Sequence, residues 1–552
     1  MSALLMGSSH TAEKTLMKSM RRNGFITKKP FTPIIKQVRR SMAAFKSGDA
    51  DIALGIILTT DGLLLTKASE VVGADELTVI IDGKVLQPKL LARDDKRDLA
   101  LYKVQAMGLA PVSWVDQQDV NIGQWCVAPV SSDFEGKIGI ISAPTRPLSK
   151  QPVLGGKNLE LSGTISKHPD DFPVVYQQDI PLWAHEIGGP LANSSGKVFA
   201  INVSRSNRSE FFSLPASEVK KSLAAMDLAP LVVEQLASIE FPQQKLFSVQ
   251  TKPMLDKERI DLQRSIIALH KNLRPASVCI KFGADFGSGV LATADGYVLT
   301  AAHVSGDPGT VVEIILNDGR KFKAKSLGFY KKTDMSLLKI TDDVKNLPFV
   351  KMGQCEKVRN TDWCFVIAHP NGYRQARGSV IRIGRILKSG VNSFIRTDCN
   401  LIGGDSGGPL FNMNGEVIGI NSQVQDHYER NYHGPVACYQ ANWKAFLKER
   451  EIAEEEIGPL LTQSKVILGF RGRTLEQGAL VSRVEKGTPA ARAGLKSGDF
   501  IMKVNGEPIG KSLSLRQALR SFDVGSVVLL SCKRSGSETI IKLKRVKYGS
   551  AN

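Results

Sequence analysis

The sequence predicts a mainly β protein with two tandem copies of one β domain and a smaller β module at the C-terminus. Short apolar runs bounded by Gly, Asn and Asp turns recur along the 552 residues, which is typical of antiparallel strands. Two long segments repeat each other in order, and the segment after residue 465 matches neither copy. At roughly 150 residues per domain, this length fits three or four domains.

The repeat consists of three pairs of matching stretches. The stretches of the first and third pairs each consist of an apolar run, a turn containing Gly, and a second apolar run, which predicts a β-hairpin. The pairs are ALGIILTTDGLLLTKASEV (53–71) with GSGVLATADGYVLTAAHV (287–304), KRDLALYKV (96–104) with KTDMSLLKI (332–340), and IGGPLANSSGKVFAINVS (187–204) with SGGPLFNMNGEVIGINS (406–422).

The predicted domain boundaries follow from this order. Helical spacing of apolar residues in SEVKKSLAAM and KERIDLQRSIIALHKNL predicts helices between the copies, and EREIAEEEIG predicts an acidic helical linker after the second copy. The predicted parts are a basic tail (1–29), the first copy (30–225), a helical linker (226–268), the second copy (269–450), a linker (451–464) and the C-terminal module (465–548).

The net charge of +19 is the one unusual figure in the composition, since 42% apolar and 23% charged residues are ordinary for a globular chain. Residues 1–48 hold ten basic residues and one acidic residue, and residues 465–548 hold 17 basic and six acidic residues. The two copies between them are close to neutral. With no nucleic-acid-binding motif visible, the charge indicates acidic peptides or an anionic membrane surface rather than specific nucleic acid.

The N-terminus shows no apolar run long enough for a secretory signal, and a solvated basic tail is favoured over a transit peptide or a misassigned start. Elsewhere, apolar runs stay far short of the roughly 20 residues of a membrane span. Seven cysteines form no CxxC pair, so no metal site and no cofactor are expected. Buried free thiols and one or two disulfides between residues 279 and 438 are equally favoured.

Three residues of the second copy predict nucleophilic catalysis. His303 stands in LTAAHV at the end of a predicted strand, Asp334 opens DMSLLKI, and Ser406 stands in GGDSGGPL. Each alone is weak evidence, but the order His, Asp, Ser is one of the known orders of a catalytic triad. A serine hydroxyl needs an adjacent base, which His303 supplies, and Asp334 fixes the tautomer of that base.

The glycines around Ser406 predict an oxyanion hole. A tetrahedral oxyanion needs backbone N–H donors aimed at one point, and such a turn needs glycine. We expect the donors to be the N–H groups of Gly404 and Ser406, with a contribution from Asp405.

Residues 276–448 resemble trypsin-like serine proteases of the HtrA (Deg) family through AAHV, TDMSLLKI, AHPNGY and TDCNLIGGDSGGPLFNMNGEVIGINS. The resemblance implies two perpendicular six-stranded β-barrels with the active site between them. It implies that Ser422 supports Asp334, and that Asn400 and Ser422, Gln423 and Val424 line the S1 pocket. These residues supply no carboxylate, so a small or medium apolar P1 residue is expected.

Two features depart from the family pattern. The motif reads GDSGG, as in trypsins, where many HtrA enzymes have GNSGG. The loops before His303 are short, so the long regulatory loop of some family members is not expected.

The first copy has lost this chemistry. The repeat places Ser69 opposite His303, Asp98 opposite Asp334, Ile187 opposite Ser406 and His185 opposite Gly404. We therefore predict a degenerate protease-like domain. A separate role for His185 with Glu186 is less expected than an ordinary surface loop.

Residues 465–548 resemble a PDZ domain of the HtrA type, through VILGF and GTPAARAGLKSGDFIMKVNG. The resemblance implies that a peptide C-terminus adds as a strand, with its carboxylate bound by the N–H groups of Leu468, Gly469 and Phe470.

The expected function is that of a serine endopeptidase acting on unfolded or damaged polypeptides, with peptide C-termini recognised by the C-terminal module. The alternative is a chaperone or scaffold that binds polypeptides without cleaving them. The resemblance also implies a homotrimer and favours the periplasm or cell envelope.

Overall fold

The structure is a computed structural model that describes residues 19–116, 120–130, 136–149, 171–205, 210–242, 254–390, 393–424, 430–453, 470–485, 488–510, 515, 519 and 527–544. It divides into two compact units, 1–458 and 459–552. Both copies of the repeat lie in the first unit, and the C-terminal module forms the second.

The first copy contains thirteen strands and four helices among the residues described for it. Its elements are α1 Phe25–Lys28, α2 Thr32–Arg39, β1 Met42–Ser47, β2 Ala50–Ile57, β3 Leu63–Lys67, α3 Ala68–Val71, β4 Leu77–Ile81, β5 Lys84–Leu86, β6 Lys89–Asp94, β7 Leu99–Lys103, β8 Trp125–Pro129, β9 Gly136–Ser149, β10 Asp171–Gln178, β11 Pro190–Ala192, β12 Val198–Arg205, β13 Phe211–Pro215 and α4 Ala216–Ala225.

The second copy repeats this order after two connecting helices, α5 Pro230–Ala237 and α6 Met254–Leu273. Its elements are β14 Ser277–Phe282, β15 Asp285–Leu291, β16 Tyr297–Thr300, α7 Ala302–Ser305, β17 Val311–Ile315, β18 Lys321–Tyr330, β19 Met335–Ile340, β20 Trp363–Ala368, β21 Val380–Lys388, β22 Ile395–Thr397, β23 Pro409–Asn412, β24 Val417–Val424, β25 Asn431–Pro435 and α8 Ala437–Phe446.

The predicted mainly β fold of two tandem trypsin-like double-barrel domains is confirmed. Strands β14–β19 close one barrel, β20–β25 close a second, and β8–β13 close a third in the first copy. The remaining sheet, β5-β4-β1-β2-β3-β7-β6, is open between its end strands. Those two strands, β5 and β6, are separated along the chain only by Gln87 and Pro88. In the second copy the single strand β18 continues through the corresponding segment. In the first copy the proline, which lacks an N–H, interrupts the hydrogen-bonded ladder there.

The hairpin turns predicted from the Asp-Gly pairs are present in both copies. Gly62 between β2 and β3 has φ +101°, and Gly296 between β15 and β16 has φ +95°. A Cβ at Gly62 would lie 2.5 Å from the Val104 carbonyl oxygen, and one at Gly296 would lie 2.9 Å from the Ile340 Cβ. Both the backbone angle and the space therefore require glycine.

The two copies pack through their second barrels about a buried arginine. Arg22 donates to Asp179 Oδ2 at 2.6 Å through its guanidinium and to Asp398 Oδ2 at 2.8 Å through its N–H. Asp179 also accepts from Ile383 N–H of the second copy at 3.0 Å. Arg22 and Asp179 are 2% and 0% exposed, so this charge pair is desolvated and its geometry is constrained. The expectation of a solvated basic tail is therefore wrong for Arg22.

One prediction about the connecting segments needs correction. The described part of EREIAEEEIG is not helical, because Ile452 is buried and its N–H donates to the Phe329 carbonyl at 2.9 Å, which adds this segment to β18. All seven cysteines are free and buried, so of the two alternatives the structure has free thiols. Among the described residues, no helix is both long and apolar enough to cross a bilayer.

The C-terminal unit is a separate small β domain. Its elements are β26 Phe470–Thr474, β27 Ala479–Val484, α9 Pro489–Arg492, β28 Phe500–Val504, β29 Glu507–Pro508, β30 Val527–Arg534 and β31 Ser537–Lys544. Its core is apolar, with Ile501 and Val528 both 0% exposed.

Candidate active site

His303 and Asp334 are presented by short irregular segments at the ends of strands. His303 lies in α7, a single turn directly after β16, and is about half exposed. Asp334 has φ +54°, a left-handed conformation for a non-glycine residue, between a turn of 3₁₀ helix and β19. Such strain is maintained only where the surrounding contacts fix it.

The structure brings His303, Asp334 and Ser422 into one hydrogen-bonded group. His303 Nδ1 lies 2.8 Å from Asp334 Oδ2, and the His303 N–H donates to Asp334 Oδ1 at 3.1 Å. The Ser422 hydroxyl donates to Asp334 Oδ2 at 2.5 Å. When Nδ1–H donates to the carboxylate, Nε2 is left as the acceptor, which is the tautomer a general base requires.

Ser406 lies in a turn that allows no side chain at Gly404. Gly404 has φ +89°, and a Cβ there would lie 2.5 Å from Asn371 N and 2.7 Å from the His369 carbonyl oxygen. The Ser406 carbonyl accepts from Ser288 N–H at 2.7 Å, which ties the turn to β15 of the first barrel. Among the described residues, no hydrogen bond joins Ser406 Oγ to His303; catalytic hydrogen bonds often form only with substrate.

The predicted oxyanion donors differ in their hydrogen bonding. Within the described residues, the N–H groups of Gly404 and Ser406 have no partner, so both can donate to a substrate oxygen. The N–H of Asp405 donates to the Ile402 carbonyl at 3.1 Å. The expected contribution of Asp405 to the oxyanion hole is therefore corrected, because its donor is already used.

The Asp405 side chain instead anchors the turn through buried hydrogen bonds. Its Oδ2 accepts from Arg382 Nη1 at 2.8 Å and from Ile402 N–H at 2.8 Å. Arg382 and Asp405 are 0% and 1% exposed, and burial raises the pKa of Asp405 although Arg382 opposes the shift. Breaking such a pair leaves a charge unpaired in the interior.

A second set of buried polar groups supports the same turn. Ser288 Oγ donates to the Gly404 carbonyl at 2.7 Å and accepts from His369 N–H at 2.9 Å. Asn421 Nδ2 donates to the Asp405 carbonyl at 3.0 Å, and its Oδ1 lies 2.9 Å from His433 Nδ1. Burial lowers the pKa of His433 to about 3, so this imidazole is neutral at pH 7.

Sequence reasoning missed these supporting residues. The signal for Arg382 was present, because a charged residue inside the apolar strand SVIRIGRIL needs a buried partner. No sequence pattern distinguishes the supporting role of Ser288 from that of any serine in a strand.

The residues expected to line the S1 pocket lie along two neighbouring segments. Asn400 is 1% exposed and its Nδ2 has no partner among the described residues. Gln423 and Val424 end β24 and are exposed. The Ser422 hydroxyl donates to Asp334, so this residue belongs to the hydrogen-bonded group of His303 and Asp334 as well as to the segment expected to line the S1 pocket.

The first copy holds different side chains in the same places. Ser69 N–H donates to Asp98 Oδ1 at 2.7 Å, and its hydroxyl donates to Asp98 Oδ2 at 2.8 Å. Lys67 Nζ lies 2.8 Å from Asp98 Oδ2 and is 0% exposed. An ammonium ion paired with this carboxylate cannot accept a proton, so the cluster offers no base.

Ile187, which the repeat places opposite Ser406, is fully buried. Glu186 is also buried and accepts from Lys137 Nζ at 2.5 Å and from Trp183 N–H at 2.7 Å. The expectation that His185 and Glu186 form an ordinary surface loop is therefore wrong for Glu186. This residue anchors the turn of the first copy as Asp405 anchors that of the second.

In the C-terminal unit, Phe470 begins β26, which pairs with β27 alone in the described sheet. An edge strand of this kind can accept a further strand. Leu468 and Gly469, the other predicted carboxylate-binding residues, lie outside the described residues.

Comparison with known families agrees with this geometry. A model described as "Trypsin-like peptidase domain" matches residues 53–201 and 287–420, together about half of the chain. The chain belongs to the trypsin-like peptidase family. A model described as "PDZ domain" matches residues 466–544. The predicted HtrA-type combination of trypsin-like and PDZ domains is confirmed.

Curated relatives match part of this trypsin-like peptidase. It is 35% identical over 258 residues to a probable periplasmic serine endoprotease DegP-like protein of Pseudomonas putida (strain W619), covering 45% of this chain and 53% of that protein. It is 33% identical over 273 residues to a protein of the same description from Chlamydia trachomatis serovar D, covering 45% and 52%. The chain spans about half the length of the curated relatives it matches.

Solved structures also match. The serine endoprotease from Yersinia pestis is 25% identical, with 50% of this chain and 96% of that chain covered and a TM-score of 0.30. The HtrA-type protease AlgW with tripeptide is 25% identical, with 51% and 97% covered and a TM-score of 0.30.

Proposed function

We propose that this trypsin-like peptidase is a serine endopeptidase that hydrolyses peptide bonds of unfolded or damaged polypeptides. The observation that supports the proposal best is the hydrogen-bonded group of His303, Asp334 and Ser422, together with a turn whose Gly404 and Ser406 N–H groups have no partner among the described residues. These are the parts that acyl transfer needs: a base, its orienting carboxylate and preorganised donors.

Each residue has a defined role in the proposed reaction. His303 Nε2 takes the proton from Ser406 Oγ as the oxygen attacks the scissile carbonyl, and the imidazolium formed is stabilised by Asp334. The N–H groups of Gly404 and Ser406 bind the oxyanion. His303 then protonates the leaving amine, and water hydrolyses the acyl-enzyme by the same route.

We propose that the PDZ domain recruits polypeptides through exposed C-termini. The unpaired edge of β26 supports strand addition, and the excess of basic residues in 465–548 favours acidic peptides. We propose an S1 pocket for a small or medium apolar P1 residue, in which the buried Asn400 adds a polar Nδ2 that has no partner in the described part of the chain.

The test is cleavage of a reduced, denatured protein by the full chain. Ser406→Ala is expected to lower the rate by at least about 10⁴-fold, because the nucleophile is removed. The control Ser265→Ala changes an exposed serine on α6 and is expected to keep the wild-type rate. A wild-type chain that binds the denatured protein and does not cleave it would contradict the proposal and favour the chaperone or scaffold alternative.

A further inference from the structure

A carboxylate of the first copy reaches into the second copy beside the Ser406 turn. Glu210 directly precedes β13, and its Oε1 accepts from Arg377 Nη1 at 3.3 Å while its Oε2 accepts from Asn371 Nδ2 at 3.3 Å. Glu210 and Arg377 are 7% and 1% exposed. This contact is therefore a desolvated charge pair between the degenerate copy and the copy with the triad.

Arg377 organises the loop between β20 and β21. Its Nη2 donates to the carbonyls of Pro370 and Gly372, the latter at 2.8 Å, and its Nε donates to the Gly378 carbonyl at 3.3 Å. Burial lowers the pKa of Arg377 to about 9, and Glu210 opposes that shift. The guanidinium thus holds three loop carbonyls in place, and Glu210 supplies its counter-charge.

The same loop packs tightly against the turn that contains Gly404 and Ser406. The Asn371 N–H donates to the Gly403 carbonyl at 2.9 Å. The Asn371 nitrogen and the His369 carbonyl lie so close to Gly404 that even a methyl group there would overlap them. A shift of the loop must therefore shift Gly404, whose N–H is one of the two unpaired donors.

We propose that Glu210 is a positioning residue for the oxyanion hole and that the degenerate copy serves as a built-in activator of the second copy. The inference rests on the proposed peptidase function. Without the carboxylate, the buried charge of Arg377 loses its partner, and the loop relaxes towards water to solvate it. A displacement of about 1 Å at a catalytic donor costs about 10²-fold in rate.

The test compares Glu210→Gln with a matched control, Glu218→Gln. Glu218 is also a buried acid of the first copy, 3% exposed, but its partners Arg97 and Lys221 lie in the same copy. Glu210→Gln is expected to lower kcat on a denatured protein by about tenfold to a hundredfold and to leave KM within about twofold. Glu218→Gln is expected to keep the wild-type kcat, and Glu210→Asp to recover part of the loss.

Hydrogen exchange provides a readout that does not depend on activity. In Glu210→Gln, amides of peptides covering 369–378 and 402–408 are expected to exchange faster than in the wild type and in Glu218→Gln. Unchanged exchange and unchanged kcat in Glu210→Gln would overturn the inference, as would an equal loss of kcat in Glu218→Gln. A wild-type chain without cleavage, in which Glu210→Gln still accelerates exchange, would refute the proposed function and retain the coupling.

Discussion

The turn at Ser406 and the turn at Ile187 make the same backbone contacts and differ in chemistry. In the second copy the Ser288 N–H donates to the Ser406 carbonyl at 2.7 Å, and in the first copy the Leu54 N–H donates to the Ile187 carbonyl at 2.9 Å. One residue further on, Gly407 and Gly188 both have positive φ, +82° and +92°. The two copies therefore share the backbone of the turn, although one has serine and the other isoleucine at its centre.

Both turns also contain a buried acidic residue that is paired with a basic side chain. Asp405 is paired with Arg382 at 2.8 Å, and Glu186 is paired with Lys137 at 2.5 Å, both within the second barrel of their copy. The comparison teaches that the buried ion pair is a requirement of the turn itself. The proposed chemistry depends on two further side chains, those of Ser406 and His303.

The aspartates behave in the same way. Asp334 and Asp98 have φ of +54° and +55°, and each accepts from the N–H of the second residue of a short helix, α7 in the second copy and α3 in the first. In one copy that residue is His303 and in the other it is Ser69. The strained aspartate thus persists as a structural element of both copies.

The largest expected difference between the copies comes from removing the basic side chain that pairs with the buried acid of each turn. Arg382→Ala leaves Asp405 buried and unpaired, which we expect to cost about 3–5 kcal/mol of stability and to lower kcat by about 10²-fold. Lys137→Ala leaves Glu186 unpaired in the first copy and is expected to lower stability with kcat nearly unchanged. Thermal unfolding and steady-state cleavage measure both effects.

Equal losses of kcat in Arg382→Ala and Lys137→Ala would contradict this separation. Arg382→Lys serves as the rescue variant, because it returns a cation to the site and is expected to recover part of the lost kcat.

A smaller effect is expected at the hydroxyl that orients Asp334. Ser422→Ala removes a 2.5 Å hydrogen bond to the carboxylate and should lower kcat/KM by about tenfold, which corresponds to about 1.4 kcal/mol. In the first copy β12 carries the buried Val203 at the matching position. Val203→Ser is expected to leave kcat/KM unchanged, and a change in it as large as that in Ser422→Ala would refute the assignment.

The smallest expected effect is no effect at all. Adding a nucleophile to the first copy in an inactive background, Ile187→Ser with Ser406→Ala, is expected to restore no cleavage. Ser69 occupies the position of the base, and Lys67 is paired with Asp98. Cleavage above that of Ser406→Ala alone would show that the first copy is not degenerate.

The strands and hairpins could be predicted because local patterns encode them, and the grouping of His303, Asp334 and Ser422 could be predicted because the order of their motifs resembles that of a known family. Turn residues, alternating apolar runs and short motifs all lie within a few neighbours in the chain. The contacts of Arg22 with Asp179 and Asp398, and of Glu210 with Arg377, join residues more than a hundred positions apart, and no local pattern specifies them. The helix expected at EREIAEEEIG failed for the same reason, since burial of Ile452 against β18 outweighed local helical propensity.

The most direct test of the central claim is labelling of the folded chain with a fluorophosphonate, followed by mass spectrometry of its peptides. A triad that activates one serine predicts a single stoichiometric label on Ser406, abolished in Ser406→Ala and slowed in Arg382→Ala. No label within the first copy, including Ser69, is expected. Absence of label at Ser406, or label of equal extent at Ser69, would contradict the account.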